Sequence, residues 1–458
     1  MKVIQVPFCF YPDSVGGTEV YVESLATHLH QLGVDIVIAA PADHSSSYEY
    51  RALAVRRFAI PGNVDDIREL YGEGNIAASR EFGDILDEEQ PEIVHLHAFT
   101  RGASLRSVRE AKRRGIKVVF TYHTPTVSCQ RGTLLRWGSE VCDGKLDLHT
   151  CSACALHSHG LGRAPALALS RVPKVIGQMA GAVGLSGGGW TALRMTELVD
   201  LRHSAFRALM REVDQVVALC QWVKDLLSRN GVPAEKIVVS RHGLPHRAEA
   251  SDAEDMPVAD RPLRIAFLGR LDHTKGADIL IRALQSLPGA AVELHLYGIV
   301  QSTAGTQYLE QLKRLAGNDL RISFLPPVPS DRIVSLLRSY HLLAVPSRWL
   351  ETGPLVVLES FAAGTPVIGS NLGGVAELVE HEVNGLLIET DSVEGWSQAI
   401  QRCCEDKTLQ GMLRRGICPP RGVAVVAQEM RLLYEKTLDG TLVHQIPSYL
   451  VERAEVHS

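Results

Sequence analysis

The sequence predicts an α/β protein built from two doubly wound domains, and three observations lead there. Short apolar strands alternate with amphipathic helices in two separate series. A polar, acidic stretch at 245–262, with Ala-Glu-Ala-Ser-Asp-Ala-Glu-Asp-Met at its centre, divides the series as an interdomain linker would. The 458 residues are enough for two cores. The expected domains are residues 1–244, carrying an insertion at about 125–200, and residues 263–420, with a C-terminal helix and tail at 421–458.

In the first series, residues 2–9 read as a strand. Asp13-Ser-Val-Gly16-Gly17-Thr18-Glu19 then leads into an amphipathic helix ending near residue 32. The Gly16-Gly17 turn lets backbone approach a ligand closely, although a plain βα connection has the same composition. Residues 34–40 form a strand, 63–89 read as helical, 92–97 form a strand, 103–114 a helix and 118–122 a strand. Two of these strands deliver histidines at their carboxyl ends, His95-Leu-His97 and His123-Thr-Pro125. Open parallel sheets place ligand groups at those ends, so His123 and, after it, His97 are candidates against a purely structural role. The series closes with a helix at 201–211, a strand at 215–220, a helix at 221–230 and a strand at 237–240 before Arg241-His242-Gly243.

The insertion has its own pattern. Cys129, Cys142, Cys151 and Cys154 follow the spacing C-x12-C-x8-C-x2-C, which reads as a structural zinc site tying down a segment with little core of its own. An iron–sulfur cluster uses the same four thiolates, His149, His157 or His159 could replace one of them, and four unrelated thiols are the plain alternative. Residues 160–200 are rich in Ala, Gly and Leu with Arg163, Arg171, Lys174 and Arg194 interspersed. Helices resting on a membrane surface fit that composition, as do ordinary packed helices beside an acceptor.

The second series runs strand 263–268, helix 277–287, strand 292–297, helix 303–316, strand 321–324, helix 331–339 and strand 342–345. Strands at 366–369 and 385–388 and helices from 392 and 424 complete it. Strand 342–345 breaks at Pro346-Ser347, passes Glu351, and opens a helix at Pro354, a residue suited to the first helical position. That helix is apolar all round, so Glu359 is expected to be buried, where an unpaired carboxylate is costly. The amides of Leu355 and Val356 at its head suit a phosphate. The competing reading has Glu351 capping the helix and Glu359 satisfied in the core. Upstream, Gly269-Arg270-Leu-Asp-His-Thr-Lys275-Gly276 offers a planar cationic fork and a point charge on a Gly-flanked turn. It is not a Walker A loop, because no Gly-Lys-Ser/Thr occurs there. Alone, it would be read as a solvated turn.

The run Pro346-Ser-Arg-Trp-Leu-Glu351-Thr-Gly353-Pro-Leu-Val-Val-Leu-Glu359-Ser-Phe-Ala-Ala-Gly-Thr-Pro-Val-Ile closely resembles the Glu-x7-Glu signature of glycosyltransferase family 4, and the Arg270/Lys275 turn lies at that family's usual place upstream. The resemblance is strong from residues 264 to 388, weaker over 2–123 and 214–243, and poor over 129–200. It implies a retaining enzyme of the GT-B fold, two Rossmann-like domains facing across a cleft. It also implies transfer of a hexosyl or related group from a nucleotide-diphosphate-sugar to a glycan or lipid-linked acceptor in cell-surface polysaccharide or glycoconjugate synthesis. On that resemblance Arg270 and Lys275 bind the diphosphate, and Glu359 accepts from the ribose hydroxyls. Glu351 and His123 attend the transferred sugar, while Gly353, Leu355 and Val356 lend backbone groups. Gly16 and Gly17 face the donor, and Gly298, Val300 and Val328 surround the base. Family members need no bound Mg²⁺, and no Asp-x-Asp is present to hold one. This chain departs from the family at Glu351-Thr-Gly-Pro, where Glu-Gly-Phe-Pro is usual, and at His242-Gly243, where Asn-Gly is. A nucleotide-sugar epimerase of the same fold and a non-catalytic nucleotide-sugar sensor are the alternatives.

Composition narrows partners and location. A net charge of −5 gives no global drive toward nucleic acid. No apolar run is long enough to span a bilayer, and Met-Lys-Val-Ile-Gln-Val-Pro reads as a first strand, not a secretory segment. Nine cysteines, an odd number unevenly spread, argue against a disulfide framework and leave Cys9, Cys220, Cys403, Cys404 and Cys418 as ordinary thiols. The expectation is a cytoplasmic protein, contact with the inner face of the membrane being one of the two readings of residues 160–200 and ordinary packed helices the leading one.

Overall fold

In the computed structural model, the chain divides into two compact units, Met1–Pro245 with Val423–Ser458, and His246–Gly422. The structure describes residues 1–13, 16–64, 66–185, 187–244, 262–441 and 443. The expected linker therefore lies outside the described residues except for Pro262, as does the tail beyond residue 443.

The strands of the first unit are β1 (Lys2–Val6), β2 (Asp35–Ala42), β3 (Ser46–Tyr50), β4 (Leu53–Ala59), β5 (Ile93–Leu96), β6 (Lys117–Tyr122), β7 (Leu135–Arg136), β8 (Glu140–Val141), β9 (Gln215–Ala218) and β10 (Ile237–Val239). Eight of them make one sheet in the order β10-β9-β6-β5-β1-β2-β4-β3, parallel except where β3 pairs antiparallel with β4. The apolar runs of β1, β5 and β6 are buried on both faces, as a helix-covered parallel sheet requires. The β3–β4 hairpin was not expected. Ser-Ser-Tyr-Glu-Tyr is a polar edge strand, and its signal comes from pairing with β4 rather than from its own hydrophobicity. The helical stretch expected at 63–89 is two pieces, Ile67–Tyr71 and Ile76–Glu89, because Gly72 and Gly74 take positive φ and break it. Residues 188–212 are one long helix (Gly188–Glu212), not only the 201–211 segment. The insertion holds the small β7–β8 ribbon and helices Leu148–Ser158, Arg163–Leu169 and Lys174–Ala182.

The final helix, Val423–Leu438, packs in the first unit. Val426, Ala427, Met430, Leu433 and Tyr434 share a core with Tyr21, Val22, Leu25 and Leu29 of helix Gly17–Gln31. Its Tyr434 hydroxyl reaches under the sheet to Gln5 of β1 and His95 of β5.

The second unit contains β11 (Leu263–Arg270), β12 (Val292–Ile299), β13 (Ile322–Leu325), β14 (Leu342–Val345), β15 (Val367–Ser370) and β16 (Gly385–Ile388), all parallel in the order β13-β12-β11-β14-β15-β16. The chain starts mid-sheet at β11, winds outward through β12 and β13, then returns to the other side with β14. This makes the space beyond the carboxyl ends of β11 and β14 a topological switch point, where α/β sheets bind ligands. Two short helices escaped the sequence reading, Gly373–Leu378 and Lys407–Arg415. Among the described residues no helix is long and apolar enough to cross a membrane.

Candidate active site

At the switch point of the second unit, two turns are fastened together. The turn after β11 carries Arg270 and Lys275, and Asp272 holds it by accepting from the Thr274 amide (2.8 Å) and hydroxyl (2.6 Å). Gly276 then takes φ +71°, and a Cβ there would lie 2.0 Å from the Pro346 carbonyl oxygen, so only glycine permits the close approach of the turn after β14. Arg348 fastens the contact. Its amide donates to Thr274 O (2.8 Å), its guanidinium forks onto Asp278 (2.6 and 2.9 Å), and it also pairs with Asp391.

This fastening brings Lys275 to Glu351. Lys275 Nζ lies 2.5 Å from Glu351 Oε1, and the same oxygen accepts from Ser347 Oγ and Trp349 Nε1, each at 2.7 Å. Burial alone would raise the Glu351 pKa, but Lys275 and the two neutral donors outweigh it and hold the carboxyl below the usual glutamate range. Trp349 forms a platform beneath both cations, with Lys275 Nζ 5.3 Å and the Arg270 guanidinium 5.9 Å from its ring centroid. From the other side the backbone of Gly373-Gly374 closes on Glu351, the Gly374 amide donating to Glu351 O at 2.7 Å, and a Cβ on Gly374 would lie 2.6 Å from that oxygen. Thus Arg270, Lys275 and Glu351 are brought together.

Glu359 sits in helix Leu355–Ala362, which Pro354 caps instead of occupying its first position. Leu355 and Val356 form the helix head, with Gly353 just before it. Glu359 is buried, yet among the described residues no side-chain hydrogen bond or ion pair reaches it. Burial raises its pKa to about 7. Gly298 lies beside Gly269 in the β11–β12 register, at the sheet end where Arg270 begins its turn. Val300 is half-exposed just past β12, and Val328 follows β13 at the same sheet edge.

The first unit has its own cluster. His97 Nδ1 lies 3.0 Å from His123 Nε2, and Tyr21 and His242 rings pack on His123 with centroids at 5.2 and 5.8 Å. All are buried. Desolvation, then the neighbouring imidazoles, holds His97 and His123 well below the ordinary histidine range, so both rings are neutral at physiological pH. Gly16 caps helix Gly17–Gln31, its amide donating to Glu19 Oε2 at 2.9 Å.

The four cysteines of the insertion are free thiols sharing one neighbourhood. Cys151 and Cys154 stand a turn apart on helix Leu148–Ser158, and Cys129, Cys142 and Cys154 all act electrostatically on Cys151. Among the described residues, however, no three His, Cys, Asp or Glu side chains are gathered where they could hold a metal ion. The thiols as they stand do not form the zinc set expected from their spacing.

A family model described as "Glycosyl transferases group 1" matches residues 250–416, and one described as "Glycosyl transferase 4-like domain" matches residues 16–243. The chain belongs to glycosyltransferase family 4. The enzyme is 29% identical over 456 residues, 96% of its own length and 86% of the relative's, to D-inositol 3-phosphate glycosyltransferase of Acidothermus cellulolyticus. It is 30% identical over 255 residues to the Nocardia farcinica protein of that name, covering 53% of this glycosyltransferase and 54% of the relative. Among solved structures it resembles sucrose-phosphate synthase of Thermosynechococcus elongatus (TM-score 0.66, 18% identity, 96% and 100% covered) and Anabaena HepE in complex with UDP and glucose (TM-score 0.64, 18% identity, 95% and 100% covered). These likenesses fix the fold of the glycosyltransferase as GT-B.

Sequence reading missed Ser347, Arg348, Trp349, Asp278 and the Gly373-Gly374 pair. Only the last carried a local signal, two adjacent glycines at the entry to a helix after a strand, the feature that singled out Gly16-Gly17.

The raised Glu359 pKa has a measurable consequence. The unfolded chain releases this proton near the ordinary value of 4.5 and the folded one near 7, so between those values the folded state binds more protons and stability falls as pH rises. The full effect is about 3 kcal/mol. Glu359→Gln should remove it: in denaturant titrations without ligand, the stability difference in favour of the variant should open between pH 4.5 and 7 and stay constant above.

Proposed function

We propose that this glycosyltransferase moves a sugar, with retention of anomeric configuration, from a nucleotide-diphosphate-sugar to a glycan or lipid-linked acceptor in cell-surface polysaccharide or glycoconjugate synthesis. One observation carries the reading: two cations and a buried carboxylate gathered round Trp349, at the sheet end from which the helix bearing the buried Glu359 departs. A departing diphosphate gains negative charge, and Arg270 and Lys275 are fixed cations suited to receive it. Glu359 has open acceptor capacity, as recognition of ribose hydroxyls requires. Glu351, held by Lys275, Ser347 and Trp349, keeps a defined position beside the sugar. The anomeric C–O bond to phosphate breaks, the bond from the acceptor oxygen to the same carbon forms on the same face, and the acceptor proton passes to the departing phosphate oxygen. No protein nucleophile and no divalent cation takes part. His123, with Gly16 and Gly17, serves the sugar and donor from the first unit.

HepE structures carry UDP and glucose or UDP-glucose, which makes uridine diphosphate sugars the first donors to assay. The name of the curated relatives adds a small phosphorylated polyol to the acceptors worth trying. Membrane contact by the insertion is part of the same proposal: helix Lys174–Ala182 turns Gly177 and Ala180 inward and exposes Val175 (56%), Met179 (65%) and, just beyond it, Val183 (75%).

Nucleotide release should depend on acceptor and persist in chelator; acceptor-independent change of the donor sugar would instead favour the epimerase reading. Glu359→Ala should raise donor KM about tenfold or more, whereas Glu351→Ala and His123→Ala should lower kcat by about 100-fold with smaller changes in KM. Equal activity in all three variants would refute the roles. For the insertion, a cysteine side chain moves its sulfur by changing one rotamer, so four neighbouring thiols can close on zinc when it is supplied. Metal analysis should find one zinc per chain, lost in Cys151→Ser. Co-sedimentation with anionic vesicles should be lost in Met179→Glu.

A further inference from the structure

Arg348 joins the turns that follow three strands of the second sheet, not two. It stands in the turn after β14. Toward the turn after β11 it donates from Nη1 to His273 O at 2.9 Å and forks onto Asp278, which lies in the first turn of helix Ala277–Gln285 and also accepts from the Tyr308 hydroxyl at 2.6 Å. Toward the turn after β16 its Nε donates to Asp391. These bonds occupy four of the five guanidinium N–H groups and set a carboxylate on two sides of the charge. The arginine side chain is only 11% exposed. Burial would lower its pKa, but Asp278 and Asp391 outweigh burial and raise it. Arg348 is thus a cation whose charge is already met within the protein.

Asp391 is the informative partner. Its backbone takes φ +64°, in the left-handed region where glycine is unstrained and aspartate is tolerated. A plain turn at this position has no use for a carboxylate, and glycine would suit the backbone better. What aspartate adds is its bond to Arg348, 43 positions earlier in the chain. The neighbour of Arg348 in sequence is Trp349, whose indole donates to Glu351 and lies beneath Lys275. The three-turn clamp therefore ends at the seat of the Lys275–Glu351 pair.

We propose that Arg348 and Asp391 are positioning residues for donor binding: their clamp holds the turn after β11 where Lys275 meets Glu351, and neither side chain touches the donor. This rests on the proposed use of Lys275 against the diphosphate. Positioning and simple electrostatics predict opposite signs. Removing a negative charge from this end of the sheet favours an anion there, and an arginine released from its carboxylate would favour it further. Positioning requires the reverse, weaker binding of the anion once Asp391 loses its charge.

The test measures UDP binding by calorimetry on the full-length protein, well below the melting temperature of every variant. Asp391→Asn should weaken UDP about threefold, and Arg348→Lys, which keeps the charge but loses the fork, about tenfold. Asp391→Gly should weaken UDP as Asn does, although its backbone is relaxed. Adding Asp391→Asn to Arg348→Lys should cost little more, because the two side chains act as one unit. The readout that needs no ligand is the Trp349 indole ¹H–¹⁵N resonance, assigned by its loss in Trp349→Phe. In Asp391→Asn, a change remote from Trp349 in sequence, it should move toward the position of an unbonded indole. A purely stabilising role predicts a lower melting temperature with the indole resonance and UDP affinity unchanged, and that result would overturn the proposal. Tighter UDP binding by Asp391→Asn would overturn it too. If UDP, GDP and ADP all fail to bind the wild type, the donor reading fails while the indole resonance still decides whether the clamp sets the Lys275–Glu351 seat.

Discussion

The second unit depends on one contact between two turns, the seat of the Lys275–Glu351 pair. A buried carboxylate is tolerated only when its charge is met, and here an ammonium, a hydroxyl and an indole N–H all meet a single oxygen. Removing the lysine would leave that charge uncompensated in a buried place, an unfavourable change of several kcal/mol. The rest of the local architecture is explicable as support for this contact. Gly276 has no side chain because the Pro346 carbonyl occupies its space, Arg348 bridges to Asp278, and Gly373-Gly374 lies flat against Glu351. The two carboxylates of the signature are thereby driven apart electrostatically. Glu351 is held ionised by its partners, and Glu359, which no side chain meets among the described residues, has its pKa raised to about 7 by burial.

Much of this was legible in the sequence because it is local. Helix Thr303–Ala316 and strands Leu342–Val345 and Gly385–Ile388 have the bounds expected of them, since each is framed by its own turn residues. The Arg270, Lys275, Glu351 and Glu359 set was legible through resemblance, not physics, because spacing alone equally allowed a cap and a core carboxylate. What stayed hidden depends on distant partners. Trp349 becomes a platform only once residues some 75 positions apart are adjacent, and β3 becomes a strand only beside β4. Gly72 and Gly74 were visible as letters, but their left-handed backbone, which splits an expected helix, was not.

The histidines show the same limit more sharply. His123 was singled out by its place at a strand end, and His97 ranked below it. Neither Gln5 nor Tyr434 carried any signal, because Tyr434 is 339 residues from the histidine it contacts. Buried polar networks of this kind are specified by satisfaction of every donor and acceptor at once, a condition that no window of sequence displays.

That Tyr434 lies on the last helix has a consequence for how the protein is made. The second unit is, in chain order, an insertion within the first, whose Gly17–Gln31 helix packs against Val423–Leu438. A nascent chain emerging from the ribosome therefore carries an incomplete N-terminal unit, with apolar surface uncovered, until residues 423–438 have been made. The second unit, contiguous in the chain, can close first, and completion of the earlier-made half waits on a helix made after it.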